Sequence, residues 1–329
     1  MTAFAPTLQA FFTDRLASQR GASPNTVAAY RDTFRLLLHF VSKQIDKQAS
    51  ELDLSDLDAP LVASFLTYLE VDRHSSIRTR NNRLAAIHSL FTYAALLHPE
   101  HAASIQRVLA IPAKRFDRNL VTFLNDTEVD ALLNVCDRNT WTGRRDHALL
   151  VLAIQTGLRV SELVGLTCSD VVLGRGANVH CVGKGRKERR TPLVPHTVGV
   201  LRTWLAERAG QPSDPLFPTS TGRWLSRDAI EHRVARYVTE TARTCPSIRA
   251  KHVSAHTLRH TAAMRLLLSG VDVTVIALWL GHEQVSTTGM YLHADMSQKE
   301  RAIARVAPLT SKAGRYRPPD SLLAFLDAL

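Results

Sequence analysis

The feature that most constrains the fold is an apolar run that ends at a glycine near the middle of the chain. Residues 146–156, DHALLVLAIQT, are apolar on nearly every side when wound into a helix, and Gly157 follows them. A helix that is apolar all round has to be buried. The run is also shorter than the roughly 18 residues needed to cross a bilayer. It therefore predicts a helix in the core of a globular domain.

The residues before this run also show helical spacing, in which apolar side chains recur every three or four positions. Ser23 and Pro24 are typical of a helix start. Helices are predicted through Leu8–Leu16, Pro24–Val41 and Pro60–Leu69 and over residues 76–97. Residues 112–122, PAKRFDRNLVT, break the pattern and include three basic side chains. We therefore predict a helical domain over residues 1–110 and a basic linker over residues 111–122.

The residues after the linker predict a second domain, over 123–300, in which helices accompany a small sheet. Helices are expected at 126–136, 146–156, 160–165, 195–209, 226–243, 257–268, 272–280 and 284–290, and short strands at 171–173, 179–182 and 191–194. Gly183–Lys187 lies between the last two strands, where a hairpin turn would be. The predicted fold class is mainly α with a small β-sheet.

Residues 301–329 are predicted to form a tail that ends in a short apolar helix. Pro318 and Pro319 are typical of an extended tether, and the leucines that follow them lie on one face of a helix at 320–329. The sequence leaves open whether this helix folds back on its own domain or docks on a neighbouring copy of the chain.

The charge of the chain indicates a polyanionic partner. Lysine and arginine number 41 against 30 aspartate and glutamate, a net charge of +11, and residues 111–329 carry 30 of the basic and 20 of the acidic residues. Nucleic acid is the leading candidate, although the same excess also aids solubility. The four cysteines are widely spaced, and the N-terminus lacks the pattern of a signal peptide. We therefore expect a cytoplasmic protein with reduced thiols and no membrane partner.

Two motifs place basic residues where they could hold an anion. In TGLRVSEL, residues 156–163, Arg159 follows the helix break, and Glu162 is close enough to pair with it. A buried guanidinium needs a carboxylate or phosphate, so a purely structural pair explains this motif equally well. In GKGRKERR, residues 183–190, five basic residues stand at a hairpin tip, where they would meet DNA phosphates or simply be solvated. This second motif lacks the pattern of a P-loop, which excludes nucleotide binding there.

A third motif, HTLRH at residues 256–260, places His256 and Arg259 on one helix face. This pair suits an anionic oxygen, because histidine transfers protons and arginine keeps its charge. His256 and His260 also have a spacing seen in metal sites, but Thr257 stands where the HExxH motif needs glutamate. We expect His260 to pack or to support the site. Tyr291, in LGHEQVSTTGMYLH at residues 280–293, is by itself typical of a packed tyrosine.

Together, these segments resemble the tyrosine recombinases, the phage integrase and Xer family. TGLRVSEL, VGKGRKERRTPL, HTLRHTAAMRLL and LGHEQVSTTGMYLH occur in the family's order and at its typical separations. SPNTVAAYRDTFRLLLHF and RTRNNRLAAIHSLFTYA resemble its core-binding domain more loosely. The resemblance implies a SAM-like core-binding domain over residues 1–110 and an α+β catalytic domain over residues 123–300.

The resemblance also implies roles for individual residues. The matching catalytic positions are Arg159, Lys184, His256, Arg259, His282 and Tyr291, with Glu162 as the supporting acid. Tyr291 would attack a DNA phosphodiester and leave a 3′-phosphotyrosine and a free 5′-hydroxyl. Arg159, Arg259 and His282 would stabilise the transition state, and Lys184 would protonate the leaving oxygen. No metal, cofactor or ATP is implied, and whether His256 or another group is the general base stays open.

The partner implied is double-stranded DNA that carries a specific recombination site. Members of the family assemble as four copies on DNA and exchange strands through a Holliday junction, and some use related recombinases or accessory factors. The resemblance also implies that the two linked domains clamp the duplex. Candidate phosphate contacts are Arg78, Arg80, Arg83, Lys114, Arg115, Arg186, Lys187, Arg189 and Arg190. Each of these side chains is equally consistent with a solvated surface charge.

The resemblance implies a simple recombinase, either one for Xer-like resolution or a transposon-borne integrase, because no further N-terminal domain is expected before the core-binding unit. The long tail and the loose match of the N-terminal unit favour a mobile element, by resemblance alone. Two alternatives remain at this stage. A type IB topoisomerase-like enzyme would use the same cleavage chemistry and rejoin the same strand. A DNA-binding regulator would use the fold without cleaving.

Overall fold

The computed structural model describes residues 3–116, 121–183, 187–282 and 288–291. The chain divides into two compact units, residues 1–118 and 119–329. The boundary falls inside the predicted linker. No helix in the described part of the chain combines the length and hydropathy that a membrane span requires.

The first unit is helical. Its α-helices are α1 (Phe4–Ala10, continued by a π-helix, Phe11–Gln19), α2 (Pro24–Ile45), α3 (Ala59–Val71), α4 (Ile77–Leu97) and α5 (Ala102–Leu109), with 3₁₀ turns at Ala49–Glu51, Leu54–Asp56 and Pro99–His101. Ser23, Asp58 and Ser76 cap α2, α3 and α4 by accepting a hydrogen bond from a backbone N–H of the first turn. Helix α5 was not predicted from the sequence, and its Ile105 and Val108 are buried in the core of this unit.

In its described residues, the second unit combines helices with one small sheet, as predicted. Its elements are α6 (Asp126–Asn134), α7 (Trp141–Thr156), α8 (Val160–Val164), β1 (Val171–Val172), β2 (Asn178–Val182), β3 (Glu188–Pro192), α9 (Pro195–Arg208), α10 (Arg227–Thr241), α11 (Ala255–Leu268) and α12 (Val273–Leu280), with 3₁₀ turns at Cys168–Asp170, Pro246–Ala250 and Gly289–Tyr291. The helix expected at 284–290 falls largely outside the described residues.

The sheet is antiparallel in the order β1-β2-β3. The strand expected at 191–194 is displaced and runs over Glu188–Pro192. The reason is register: the five residues of β2 pair with five of β3, so the polar residues before Thr191 join the ladder. This register sets Arg189 opposite the buried Cys181 and directs its side chain into the unit rather than along a hairpin tip.

The apolar run forms α7, and its burial is confirmed. Residues Ala148–Ile154 are all buried, and the helix packs against α9 and α11. Its polar residue Asp146 is 1% exposed. The Asp146 carboxylate accepts hydrogen bonds from Arg145 Nη2 at 2.6 Å and from the Tyr237 hydroxyl at 2.9 Å, which satisfies the buried charge.

Gly157 ends α7 in a conformation that only glycine adopts freely. Its φ is +65°, and its N–H donates to the Ala153 carbonyl. A Cβ at this position would lie 2.6 Å from Leu280 Cδ2 and 3.1 Å from Ala262 Cβ. The glycine therefore allows both the turn and the close approach of α11 and α12.

Gly157→Ala is expected to lower the free energy of unfolding of the second unit by about 2–4 kcal/mol, because left-handed strain adds to overpacking. All four tryptophans lie in this unit, so denaturant titration followed by tryptophan fluorescence reports on it selectively. Gly222→Ala is the control, since Gly222 has a φ of +80° and open space around it. Equal losses of unfolding free energy in the two variants would show that Leu280 moves away from the added methyl group at no cost in stability.

Candidate active site

Arg159 is held from both sides immediately after the α7 glycine. It is the N-cap residue of α8, and its backbone N–H donates to Glu162 Oε2 at 2.7 Å. Its Nη1 donates to Glu162 Oε1 at 2.9 Å, and its Nη2 donates to the Gly281 carbonyl at 3.0 Å. The side chain remains 32% exposed, so the guanidinium is fixed in direction and still accessible.

Glu162 has a second arginine partner, Arg189, which was expected from the sequence to contact DNA phosphates. Arg189 Nη1 and Nη2 donate to Glu162 Oε1 and Oε2 at 2.9 and 2.7 Å. Burial alone raises the pKa of the Glu162 carboxyl, but the hydrogen bonds from Arg189 and from the Arg159 backbone outweigh it, and the net pKa lies below the ordinary value. The carboxylate is therefore charged at neutral pH and joins β3 to α8.

Arg259 lies deeper, at 2% exposure. Its Nη1 donates to the Gly157 carbonyl and its Nη2 to the Leu280 carbonyl, both at 2.7 Å. These carbonyls stand at the C-terminal ends of α7 and α12, where helix dipoles favour a cation. Burial and then the charge of Arg159 lower the pKa of Arg259 to about 10, so it stays protonated at neutral pH.

Tyr291 is buried beside two histidines of α11. It is 1% exposed and packs with Met264, Ile276 and Leu280. Its hydroxyl lies 2.9 Å from His260 Nδ1. His256 is exposed, and its ring centroid lies 4.3 Å from that of His260. Burial raises the pKa of Tyr291 to about 12, so the phenol is neutral in the DNA-free protein.

His282 follows the left-handed C-cap Gly281 of α12. Its Nδ1 lies 2.7 Å from the Thr288 hydroxyl. Burial, followed by the charges of Arg259 and Arg159, lowers the pKa of His282 to about 4. The ring is therefore neutral at physiological pH and has one N–H to donate.

The structure brings Arg159, Glu162, Arg259, His282 and Tyr291 together around the end of α12, with His256 adjacent. Lys184 and Arg186 lie outside the described residues. His260 was expected only to pack or to support the site, and its contact with the Tyr291 hydroxyl joins residues 31 apart in the sequence. The only sequence feature that pointed to His260 was its position directly after Arg259 in HTLRH.

Some of the candidate phosphate contacts have exposed side chains, and others are bound to acceptors within the protein. Arg78, Lys114, Arg115, Lys187 and Arg190 are exposed. Arg83 is partly buried, and its Nη1 has no hydrogen-bond partner among the described residues.

Arg80 and Arg189 do not occupy the surface positions expected of them. Arg80 is 6% exposed and donates to the Pro112 carbonyl at 3.0 Å, while the Arg189 side chain is 12% exposed and bound to Glu162. Both guanidiniums compensate their burial with acceptors of the protein itself.

Comparison with known protein families decides the class of this chain. Residues 122–298 match the phage integrase family, and residues 10–96 match the phage integrase N-terminal SAM-like domain. The chain belongs to the phage integrase family of tyrosine recombinases. This confirms the predicted family and fold class and the predicted class of enzyme, one that cleaves and rejoins DNA.

Relatives along almost the whole chain agree with this assignment. An integrase/recombinase-type protein of Sinorhizobium fredii, y4rC, is 51% identical over 99% of this chain and 98% of its own length. The tyrosine recombinase XerD of Vibrio vulnificus is 32% identical over 86% of this chain and 89% of its own length.

Solved structures show the same fold. The XerH recombinase in a post-cleavage complex with its difH substrate has a TM-score of 0.67 at 23% identity, over 88% of this chain and 82% of that one. The Tn1549 transposon integrase bound to transposon end DNA has a TM-score of 0.69 at 17% identity, over 94% of this chain and 100% of that one.

Glu162→Gln is expected to lower the free energy of unfolding of the recombinase's second unit by about 3 kcal/mol at pH 7, because two arginines lose a buried carboxylate. The folded-state pKa of Glu162 is lowered. Its contribution is therefore complete above the unfolded value of about 4.3 and is lost as the pH falls through the folded value. Tryptophan-monitored unfolding should show the two proteins converging at acidic pH.

Glu207→Gln is the matched control, since it removes a carboxylate that pairs with the partly exposed Arg144. We expect a much smaller loss from it, because solvent screens that pair. A Glu162→Gln loss as small as the control's would contradict the role assigned to the buried carboxylate.

Proposed function

We propose that this recombinase cleaves and rejoins double-stranded DNA at a specific site through a covalent 3′-phosphotyrosine on Tyr291. The observation that carries the proposal is the pair of arginines at the end of α12. Arg259 and Arg159 are bonded to the carbonyls of the consecutive residues Leu280 and Gly281. No carboxylate forms an ion pair with Arg259 in the described part of the chain, so this concentration of positive charge is suited to an anion such as a scissile phosphate.

The arrangement suits phosphoryl transfer because its cations are fixed before substrate arrives. The N–H groups of Arg159 and Arg259 that are not used by carbonyls or Glu162 would contact the non-bridging oxygens, whose negative charge grows in the transition state. Neutral His282 would donate one further hydrogen bond. We propose that these groups supply the charge stabilisation without a metal ion.

The remaining roles are assigned from the family resemblance. Lys184, which follows β2 in the sequence and lies outside the described residues, would protonate the 5′-oxygen as it leaves. His256, which is exposed beside His260, would contact the phosphate or the side chains that bind it. The energy of the broken bond is retained in the tyrosine–phosphate link, so no ATP is consumed and a 5′-hydroxyl from another duplex can reverse the step.

The assembly is also a proposal. We expect four copies on DNA and strand exchange through a Holliday junction, with residues 1–110 as the core-binding domain, 111–122 as the linker and 123–300 as the catalytic domain. The tail, 301–329, which lies outside the described residues, would dock on a neighbouring copy. We propose a role in the integration of a mobile element, since y4rC is an integrase/recombinase-type protein and the Tn1549 transposon integrase has the same fold.

The covalent step is tested by trapping protein–DNA adducts with detergent on a supercoiled plasmid that carries the DNA flanking the gene. The wild type should form an adduct in EDTA, and Tyr291→Phe should form none. Tyr68→Phe, in the first unit, should behave as the wild type. Relaxed plasmid without recombinant products would instead indicate a topoisomerase. DNA binding without any adduct would indicate a regulator, and a metal-dependent cut that survives Tyr291→Phe would contradict the mechanism.

Arg190→Gln is expected to weaken DNA binding and to reduce the slope of log K against log salt by about 1, because one phosphate contact is lost. Arg243→Gln is the control, since Arg243 is an exposed arginine beyond the end of α10. Affinity measured at several salt concentrations checks this. An unchanged slope for Arg190→Gln would remove this residue from the DNA interface.

A further inference from the structure

The Tyr291 hydroxyl has one hydrogen-bond partner among the described residues, and it is His260. The 2.9 Å contact joins the reacting oxygen to Nδ1 of a ring on α11. The two ring planes are inclined at 68°, with centroids 5.5 Å apart. His256, the histidine of the HxxR pair, makes an edge contact with His260 and is exposed. His260 therefore stands between His256 and the nucleophile.

The direction of this hydrogen bond follows from the burial of the phenol. A buried hydroxyl needs an acceptor, and Nδ1 is the acceptor within reach in the described part of the chain. A neutral imidazole has one acceptor and one donor nitrogen, so accepting at Nδ1 places the ring hydrogen on Nε2. Burial, followed by the charges of His256, Arg259 and His282, lowers the pKa of His260 to about 4. The ring is therefore neutral and able to accept at physiological pH.

We propose that His260 is the general base for Tyr291 and is thus a further catalytic residue. As the bond from Tyr291 Oη to phosphorus forms and the bond from phosphorus to the 5′-oxygen breaks, the phenol proton moves to His260 Nδ1. The leaving 5′-oxygen takes a separate proton from the acid assigned above, Lys184. In the reverse reaction His260 returns the proton to Oη. This inference rests on the proposed function, because it requires Tyr291 to be the nucleophile.

The bound phosphate explains why the proton would move only during cleavage. Without DNA, the phenol pKa of about 12 keeps Tyr291 protonated, and the positive charge of Arg259 opposes a charged His260. A phosphodiester held by Arg259 offsets that charge and favours the imidazolium. At the same time, bonding to phosphorus withdraws electrons from Oη and makes its proton more acidic. The arrangement thus links activation of the nucleophile to occupation of the site.

The test measures single-turnover cleavage of a nicked suicide substrate by the full chain. His260→Asn keeps an acceptor oxygen near the Nδ1 position but is not a base, so we expect cleavage to slow by about 10²-fold while DNA binding is retained. His260→Phe should slow it at least as much. Unchanged tryptophan-monitored unfolding of His260→Asn would show that the fold is intact.

Two chemical substitutions separate proton transfer from positioning. A fluorinated tyrosine at position 291 has a more acidic phenol, so it should reduce the His260→Asn defect to roughly 10-fold or less and leave the defect of His256→Asn unchanged. A substrate with sulfur as the leaving 5′-atom does not need a leaving-group acid. It should rescue Lys184→Ala and should not rescue His260→Asn.

Several outcomes would overturn the inference. Cleavage by His260→Asn at the wild-type rate would exclude a general base at this position. Faster cleavage by this variant would show that the hydrogen bond from Tyr291 to His260 slows the attack of the nucleophile. A defect that is the same with tyrosine and fluorotyrosine would reduce His260 to a positioning residue. If wild-type protein forms no adduct at Tyr291, the proposed function fails together with this inference, whereas an adduct that is insensitive to His260 overturns the inference alone.

Discussion

The proposed active site depends on guanidinium groups bonded to backbone carbonyls at helix ends. A buried arginine is unfavourable unless acceptors replace its water, and Arg259 finds them at Gly157 and Leu280. Because α7 and α12 both end at glycines with positive φ, their last carbonyls are free of intrahelical partners and point together. The same two chain reversals allow α11 to approach, and α11 supplies Arg259, His256 and His260. The packing of these helices and the placement of the arginine charges therefore depend on the same two glycine turns.

The sequence was most informative where local rules act alone. The Ser23 cap and the apolar run before Gly157 located helices to within a few residues. The proposed catalytic residues were identified through four ordered motifs. In contrast, α5 was missed because its eight residues present only a short apolar face, and the start of β3 was misplaced because strand register depends on the partner strand.

Side-chain partners across long separations could not be predicted. Arg189 lies 27 residues from Glu162, and His260 lies 31 from Tyr291, so no periodicity connects either pair. The sequence showed five basic residues at a hairpin and did not show that one of them turns inward. The same holds for Arg80, whose acceptor at Pro112 is supplied by a segment that has no regular structure. Charge counts identify an anion-binding protein but do not separate the cations that bind DNA from those that hold the protein together.

Gly281 has a consequence for how this site can vary between related enzymes. Its carbonyl binds Arg159, its φ is +64°, and a Cβ on it would lie 3.0 Å from Arg189 Nη1. A side chain there would disturb both arginines that share Glu162, and so α8 and β3 together. One methyl group at this position would therefore act on the orientation of Arg159 and on the anchoring of β3 at once, so the two features are coupled through a single backbone position.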